Sequence, residues 1–241
     1  MSENQNNSQS QNKNLAFNSA MRESVYKAIF ERRDMRHFNG LPVDEALMQR
    51  LFAAAHAAPS VGFMQPWRFI RVQKPELRQQ LHQLVQQETL TTAEQLGEKK
   101  QDFLQLKVQG IVDCSEVVVV ALMEQRDRHV FGRRTLPEMD VASAACAIQN
   151  MWLAARAEGI GLGWVSLFEP QQLSELLQMP EQATAIAILC LGHVDAFYEQ
   201  PMLQQEQWAE RGDIKHYIMR DGWDDKKAQQ AQQQWDDNDR S

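Results

Sequence analysis

The segment EVVVVALME, residues 116–124, constrains the fold more than any other stretch of the chain. Seven consecutive apolar residues, four of them valine, lie between two glutamates. That is strand length, far short of the roughly 20 residues a helix needs to cross a bilayer. β-branched side chains favour extended backbone. A strand without polar alternation is buried on both faces, so the run predicts the middle of a sheet with helices on either side.

The flanking sequence supplies those layers. Val25, Tyr26, Ile29 and Phe30 recur at helical spacing between Ser24 and Arg33. LPVDEALMQRLFAAAHAAP reads as a second helix, with Asp44 as N-cap and Pro59 as stop. WRFIRVQ, GLGWVSLF and TAIAILCLGHV read as strands, and Pro137–Glu158 as a long helix with small residues Ala142, Ala145 and Cys146 on one face. Residues 75–110 are polar and helix-prone with a Thr-Thr break at 91–92, which suggests a lid-like excursion. The sum is about six helices and four strands in an α+β domain over residues 21–223.

Residues 1–20 are polar and predict a disordered tail. Residues 224–241 predict a second polar tail, or a loose helix that packs Trp235 on a partner. The stretch MSENQNNSQSQNKN at the N-terminus has no apolar h-region and does not read as a signal peptide. Cys114, Cys146 and Cys190 are far apart and set among apolar residues, which predicts buried free thiols in a reducing cytoplasm. Neither they nor the six unclustered histidines suggest a metal site. A net charge of −7 argues against a general nucleic-acid binder.

Against that acidic balance, RRDMRHF at 32–38 concentrates Arg32, Arg33 and Arg36 around one acid, Asp34. Arg32 and Arg36 share a face if the helix continues. Guanidinium forks suit phosphate oxygens, although a solvated helix end has the same composition. APSVGFMQPW, residues 58–67, follows the second helix with Ser60, Met64 and Gln65 in a short loop. A hydroxyl there can meet a phosphate or a sugar, and a glutamine amide can meet the edge of a heterocycle. GIGLGW, residues 159–164, comes after a helix and before a strand, the reverse of a dinucleotide-binding loop. Its glycines predict a helix stop at Gly159 and room for a flat group against the backbone.

Taken in order, these three stretches resemble the nitroreductase-like flavoprotein superfamily over residues 22–223. With GRRTLPEMD at 132–140 and LCLGHVD at 189–195, they resemble its 5,6-dimethylbenzimidazole synthase (BluB) group. The resemblance implies an intertwined FMN-binding homodimer with a mixed central sheet flanked by helices. The implied activity consumes reduced FMN and O2, yielding 5,6-dimethylbenzimidazole, the lower ligand of vitamin B12, and erythrose 4-phosphate. NAD(P)H would act only indirectly, through a separate flavin reductase that supplies reduced FMN.

Residue by residue, the resemblance implies that Arg32, Arg33 and Arg36 hold the phosphate and nearby ribityl oxygens. Ser60, Met64 and Gln65 would line the ring, with Gly163 and Trp164 on its other side and Lys107 reaching its polar atoms. Asp34 and Ser166 match the positions tied to fragmentation. The alternatives are an NAD(P)H-dependent nitroreductase, a flavin or corrinoid reductase, or an FMN-storage protein. The alternative for Asp34 is a salt bridge to its arginine neighbours and nothing more.

Overall fold

The computed structural model describes residues 15–107 and 110–240, with no side-chain detail over 234–240. In chain order the elements are helix α1 (Ser19–Glu31), α2 (Glu45–His56), strand β1 (Trp67–Arg71), α3 (Pro75–Gln95) and α4 (Lys100–Gln105). There follow β2 (Glu116–Leu122), α5 (Met139–Ala157), β3 (Ile160–Val165), α6 (Pro170–Leu176), β4 (Thr184–His193), α7 (Met202–Gln205) and α8 (Asp225–Arg240).

The four strands form one sheet in the order β1-β2-β4-β3, and every ladder is antiparallel. Among the described residues a single parallel bridge, Asp34 to Leu162, makes the sheet mixed at one point. The valine run is β2, in the interior of the sheet. Val118 and Val120 pack with Met48, Leu51, Ile148 and Met151 of α2 and α5. Val117 and Val119 turn the other way, onto Leu81, Val85 and Leu173 of α3 and α6. Helices thus cover both faces, which is why an antiparallel strand here shows no polar alternation.

Local signals work as expected at several ends. Asp44 caps α2 by accepting from the Leu47 N–H at 3.1 Å. Gly159 stops α5 at φ +75°, a conformation that costs a Cβ-free residue little.

Other expectations need correction. The first helix ends at Glu31, and Arg32 is already extended at φ −61°, ψ 134°. The arginines therefore lie on extended chain rather than on a helix face. That chain is captured by the sheet, with the Met35 N–H donating to Leu162 O at 3.0 Å. Thr91 and Thr92 do not break α3. Their hydroxyls donate back to Gln87 O and Glu88 Oε1, each four residues earlier, so the helix absorbs them. Nor is α3 a loose excursion, since Leu81 and Val85 are fully buried. Cys114 and Cys190 are buried but Cys146 is exposed.

Helix has begun by Ser19, inside the span read as an N-terminal tail, while residues 1–14 lie outside the described residues. Residues 225–240, read as tail or loose helix, are helical. Among the described residues no helix is long and apolar enough to cross a membrane, and no His, Cys, Asp or Glu cluster could hold a metal ion.

Candidate functional site

The extended segment after α1 threads Asp34, Met35 and Arg36 against β3. Room for it comes from glycine: a Cβ on Gly163 would overlap the Met35 carbonyl, and one on Gly161 would lie 3.2 Å from Met35 Cγ. Met35 of the chain itself approaches these glycines, by its backbone at Gly163 and by its side chain at Gly161. Met35 is 1% exposed as a result.

This packing sets Asp34 between two donors. The Trp164 N–H donates to Oδ1 at 2.9 Å. Arg36 Nη2 donates to Oδ2 at 2.5 Å and to Trp164 O at 2.8 Å. Burial is the largest influence on the carboxyl and pushes it up from the usual carboxylate range. Arg36, the Trp164 N–H and Arg32 oppose that push without cancelling it. The raised pKa leaves Asp34 a stronger proton acceptor than a surface aspartate. Its side chain is still 42% exposed, so the carboxylate can meet a bound molecule.

The three arginines are not equivalent. Arg36 is buried, and its guanidinium serves Asp34 and Trp164. Arg33 donates to the carbonyls of Phe30 and Arg32 and to Glu199 O at 2.7 Å. Arg32 lies over the Trp152 ring at 4.4 Å. Burial lowers the Arg32 pKa most; Asp34 opposes this, and Arg211 and Arg33 add repulsion. Among the described residues, five buried side-chain nitrogen or oxygen atoms lack a hydrogen-bond partner, and four belong to Arg32, Arg33 and Arg36. Buried donors are rarely left unpaired. Positive charges that repel one another around such donors suit an anion.

Neither Trp152 nor Arg211 was legible as part of this site, because each lies more than a hundred residues from Arg32 in sequence. Tyr198 was missed as well. Its hydroxyl accepts from the Arg36 N–H at 3.1 Å and meets His37 Nδ1 at 2.7 Å. No spacing rule marks a tyrosine in a loop beyond β4.

Ser60, Met64 and Gln65 occupy the turn between α2 and β1. Gly62, Phe63 and Gln65 all have positive φ, at 52°, 53° and 50°. Two non-glycine residues in that region make a strained turn. It is held by the Gln65 N–H donating to Ser60 Oγ at 3.0 Å and the Val61 N–H donating to Ser143 Oγ of α5, also at 3.0 Å. Met64 is buried. Gln65 and Met64 border a pocket of about 560 Å³ that Phe52, His56 and Arg68 also line.

Both groups of residues are anchored on α5, the turn by Ser143 and the arginine segment by Trp152, whose Nε1–H donates to Arg33 O at 3.0 Å. Nine residues of helix separate those anchors by about 13 Å at 1.5 Å per residue. Ser166 is exposed just past the end of β3. Lys107 forms an ion pair with Asp113 inside its own loop, apart from the Asp34 contacts.

Comparison with known proteins bears on the family and the fold. The family model described as "Nitroreductase family" matches residues 29–193. The chain is 37% identical over 187 residues to the 5,6-dimethylbenzimidazole synthase of Rhodospirillum rubrum, covering 76% of this chain and 89% of that protein. It is 36% identical over 200 residues to the same-named protein of Rhodobacter capsulatus, covering 81% and 96%. A BluB-like flavoprotein from Clostridium difficile superposes with a TM-score of 0.64 at 16% identity, over 82% of this chain and 99% of that one. An oxidised iodotyrosine deiodinase bound to FMN superposes with a TM-score of 0.66 at 18% identity, over 83% and 100%.

Proposed function

The chain belongs to the nitroreductase family, and from that premise we propose that it is a 5,6-dimethylbenzimidazole synthase. Its reaction takes reduced FMN and O2 to 5,6-dimethylbenzimidazole and erythrose 4-phosphate. Identity above 35% to two synthases over three quarters or more of the chain supports this reading. The single structural observation that carries it is Asp34, a carboxylate raised by burial and locked to Trp164 and Arg36 within the arginine cluster.

The residues fit FMN. Arg32, Arg33 and Arg211 form the positive region for its phosphate, with Arg211 added to the residues read from sequence. Arg36 acts through Asp34 instead, as its counter-ion. Ser60, Met64, Gln65, Gly163 and Trp164 supply the ring site, with Lys107 near its edge. Reduced FMN supplies both the electrons and the carbon skeleton of the product. The part of this chain is to fix the ribityl end at the arginines and to place Asp34 as proton acceptor beside it. Ser166 offers a hydroxyl to the ring edge, and the site keeps water from the oxygen reaction.

The working unit is a homodimer. Helix α1 buries none of its residues and exposes Val25, Tyr26, Ile29 and Phe30. Ala142 and Cys146 of α5 are exposed as well, a small-residue face against which another helix can pack closely. A partner subunit covering these faces would bring its own Ser60–Gln65 turn toward the arginines. NAD(P)H enters through a separate flavin reductase in the cytoplasm.

The test is chromatography of the organic products after aerobic incubation with reduced FMN. An oxygen-dependent benzimidazole is the expected result. Intact FMN with only peroxide released would make the protein a reductase and end this reading.

A further inference from the structure

The segment between β2 and α5, residues 123–138, has no part in the reading above, yet one acid ties it down. Asp140 is 4% exposed, in the first turn of α5. Its Oδ2 accepts from Arg126 Nε at 2.9 Å and from Arg133 Nε and Nη2 at 3.3 and 3.1 Å. Its Oδ1 accepts from the Val141 N–H at 2.7 Å. The arginines then reach outward. Arg126 donates to Met123 O and Gln182 O, and Arg133 to Arg126 O and Asp127. A buried carboxylate with two guanidiniums is costly to break on one side, because the remaining charges lose their partner.

What this clamp presses on is the strained turn. Phe131 and Gly132 lie directly over Val61 and Gly62. A Cβ on Gly62 would sit 2.8 Å from Phe131 O, and a Cβ on Gly132 would sit 2.8 Å from Val61 Cγ2. On the opposite side the Val61 N–H is held by Ser143, one turn along the same helix from Asp140. The turn, with its three positive φ angles, is caught between the start of α5 and a loop closed by Asp140. Strain of that kind persists only where the surroundings over-determine it.

We infer that Asp140 is a positioning residue. Through Arg126 and Arg133 it holds the 126–133 loop against Val61–Gly62 and so fixes the conformation of the Ser60–Gln65 turn. That Ser60–Gln65 meets the flavin ring rests on the function proposed above, whereas the clamp itself does not.

Amide hydrogen exchange on the full-length chain without flavin tests the clamp. In Asp140→Asn the amides of Val61 and Gln65 should exchange at least ten times faster, with β2 amides unchanged. Asp140→Glu, which restores the charge, should recover much of that protection. Arg133→Met leaves Asp140 paired to Arg126, so it serves if Asp140→Asn fails to fold, and it should show a smaller acceleration at the same amides. Unchanged exchange at Val61 and Gln65, or equal acceleration throughout the sheet, would overturn the inference. FMN affinity of the same variants separates the two ideas. Faster exchange with a weaker FMN Kd supports both, and faster exchange with unchanged affinity upholds the clamp while removing the turn from the flavin site.

Discussion

Asp34 and Trp164 are joined backbone to side chain: the Trp164 N–H donates to Asp34 Oδ1 at 2.9 Å across 130 residues of sequence. The bond aims the carboxylate, and the same tryptophan's carbonyl anchors Arg36 Nη2, which also donates to Oδ2 of Asp34. An acid, a cation and one peptide unit thus form a closed set, and the position of Asp34 depends on β3 as much as on its own segment.

Asp34→Asn keeps an acceptor for Trp164 but loses the proton-accepting charge. Benzimidazole formation should fall about 100-fold or more, the scale of a lost general base, while FMN binds with little change. Ser166→Gly should likewise bind FMN and make little product. Product chromatography alongside FMN fluorescence quenching checks both, and full yield from either variant would remove that residue from the chemistry.

Stability should change with pH in a set direction. Burial raises the Asp34 pKa in the folded chain, so that state binds the proton more tightly than the unfolded chain does. The contribution of this carboxyl is favourable at low pH and is lost as pH rises through the raised value. Against wild type, Asp34→Asn should therefore gain in relative Tm as pH climbs from the ordinary carboxylate range toward neutrality. A difference in Tm that does not vary with pH would contradict the shift.

Arg32 and Arg36 should separate experimentally. Arg32→Met removes a cation that shares its surroundings with Arg33 and Arg211. Loss of a charge-assisted hydrogen bond worth about 1.5–3 kcal/mol weakens FMN binding roughly 10- to 100-fold. Riboflavin, which lacks the phosphate, should bind both proteins alike. Arg36→Met should instead lower Tm and disturb Asp34, because it strips a partner from a half-buried carboxylate. Titration of both flavins distinguishes the two arginines.

Gly163→Ala should be among the most damaging single-methyl changes in the chain. The added Cβ overlaps the Met35 carbonyl and comes within 3.0 Å of Arg36 Nη1. Overpacking of this kind costs about 1–3 kcal/mol, and the displaced segment carries Asp34 with it. Gly222→Ala meets nothing within 4 Å and serves as a neutral control. Denaturant unfolding of the two variants gives the comparison.

The exposed face of α1 leads to a last expectation. Phe30, 72% exposed, and Tyr26 stack with ring centroids 6.0 Å apart. Phe30→Glu should shift a dimer toward monomer in light scattering and weaken FMN binding in parallel. A monomeric wild type that binds FMN tightly would refute the shared site.

Much was determined by the sequence alone, wherever the physics is local. The valine run required a two-sided strand, and Asp44 and Gly159 marked helix ends. What the arginines do individually was decided only in three dimensions. Helical spacing implied that Arg32 and Arg36 act together, but the chain leaves the helix at Arg32 because Met35 finds a partner in Leu162. Arg36 then faces Asp34 while Arg32 turns onto Trp152. The glycines of β3 read as space for a ligand, and the structure sets Met35 against them, by its backbone at Gly163 and its side chain at Gly161. Close approach by the chain itself leaves the same mark in sequence as close approach of a flavin. Local propensity specifies which elements form. Which polar groups meet depends on contacts between residues more than a hundred positions apart, and no local pattern records those.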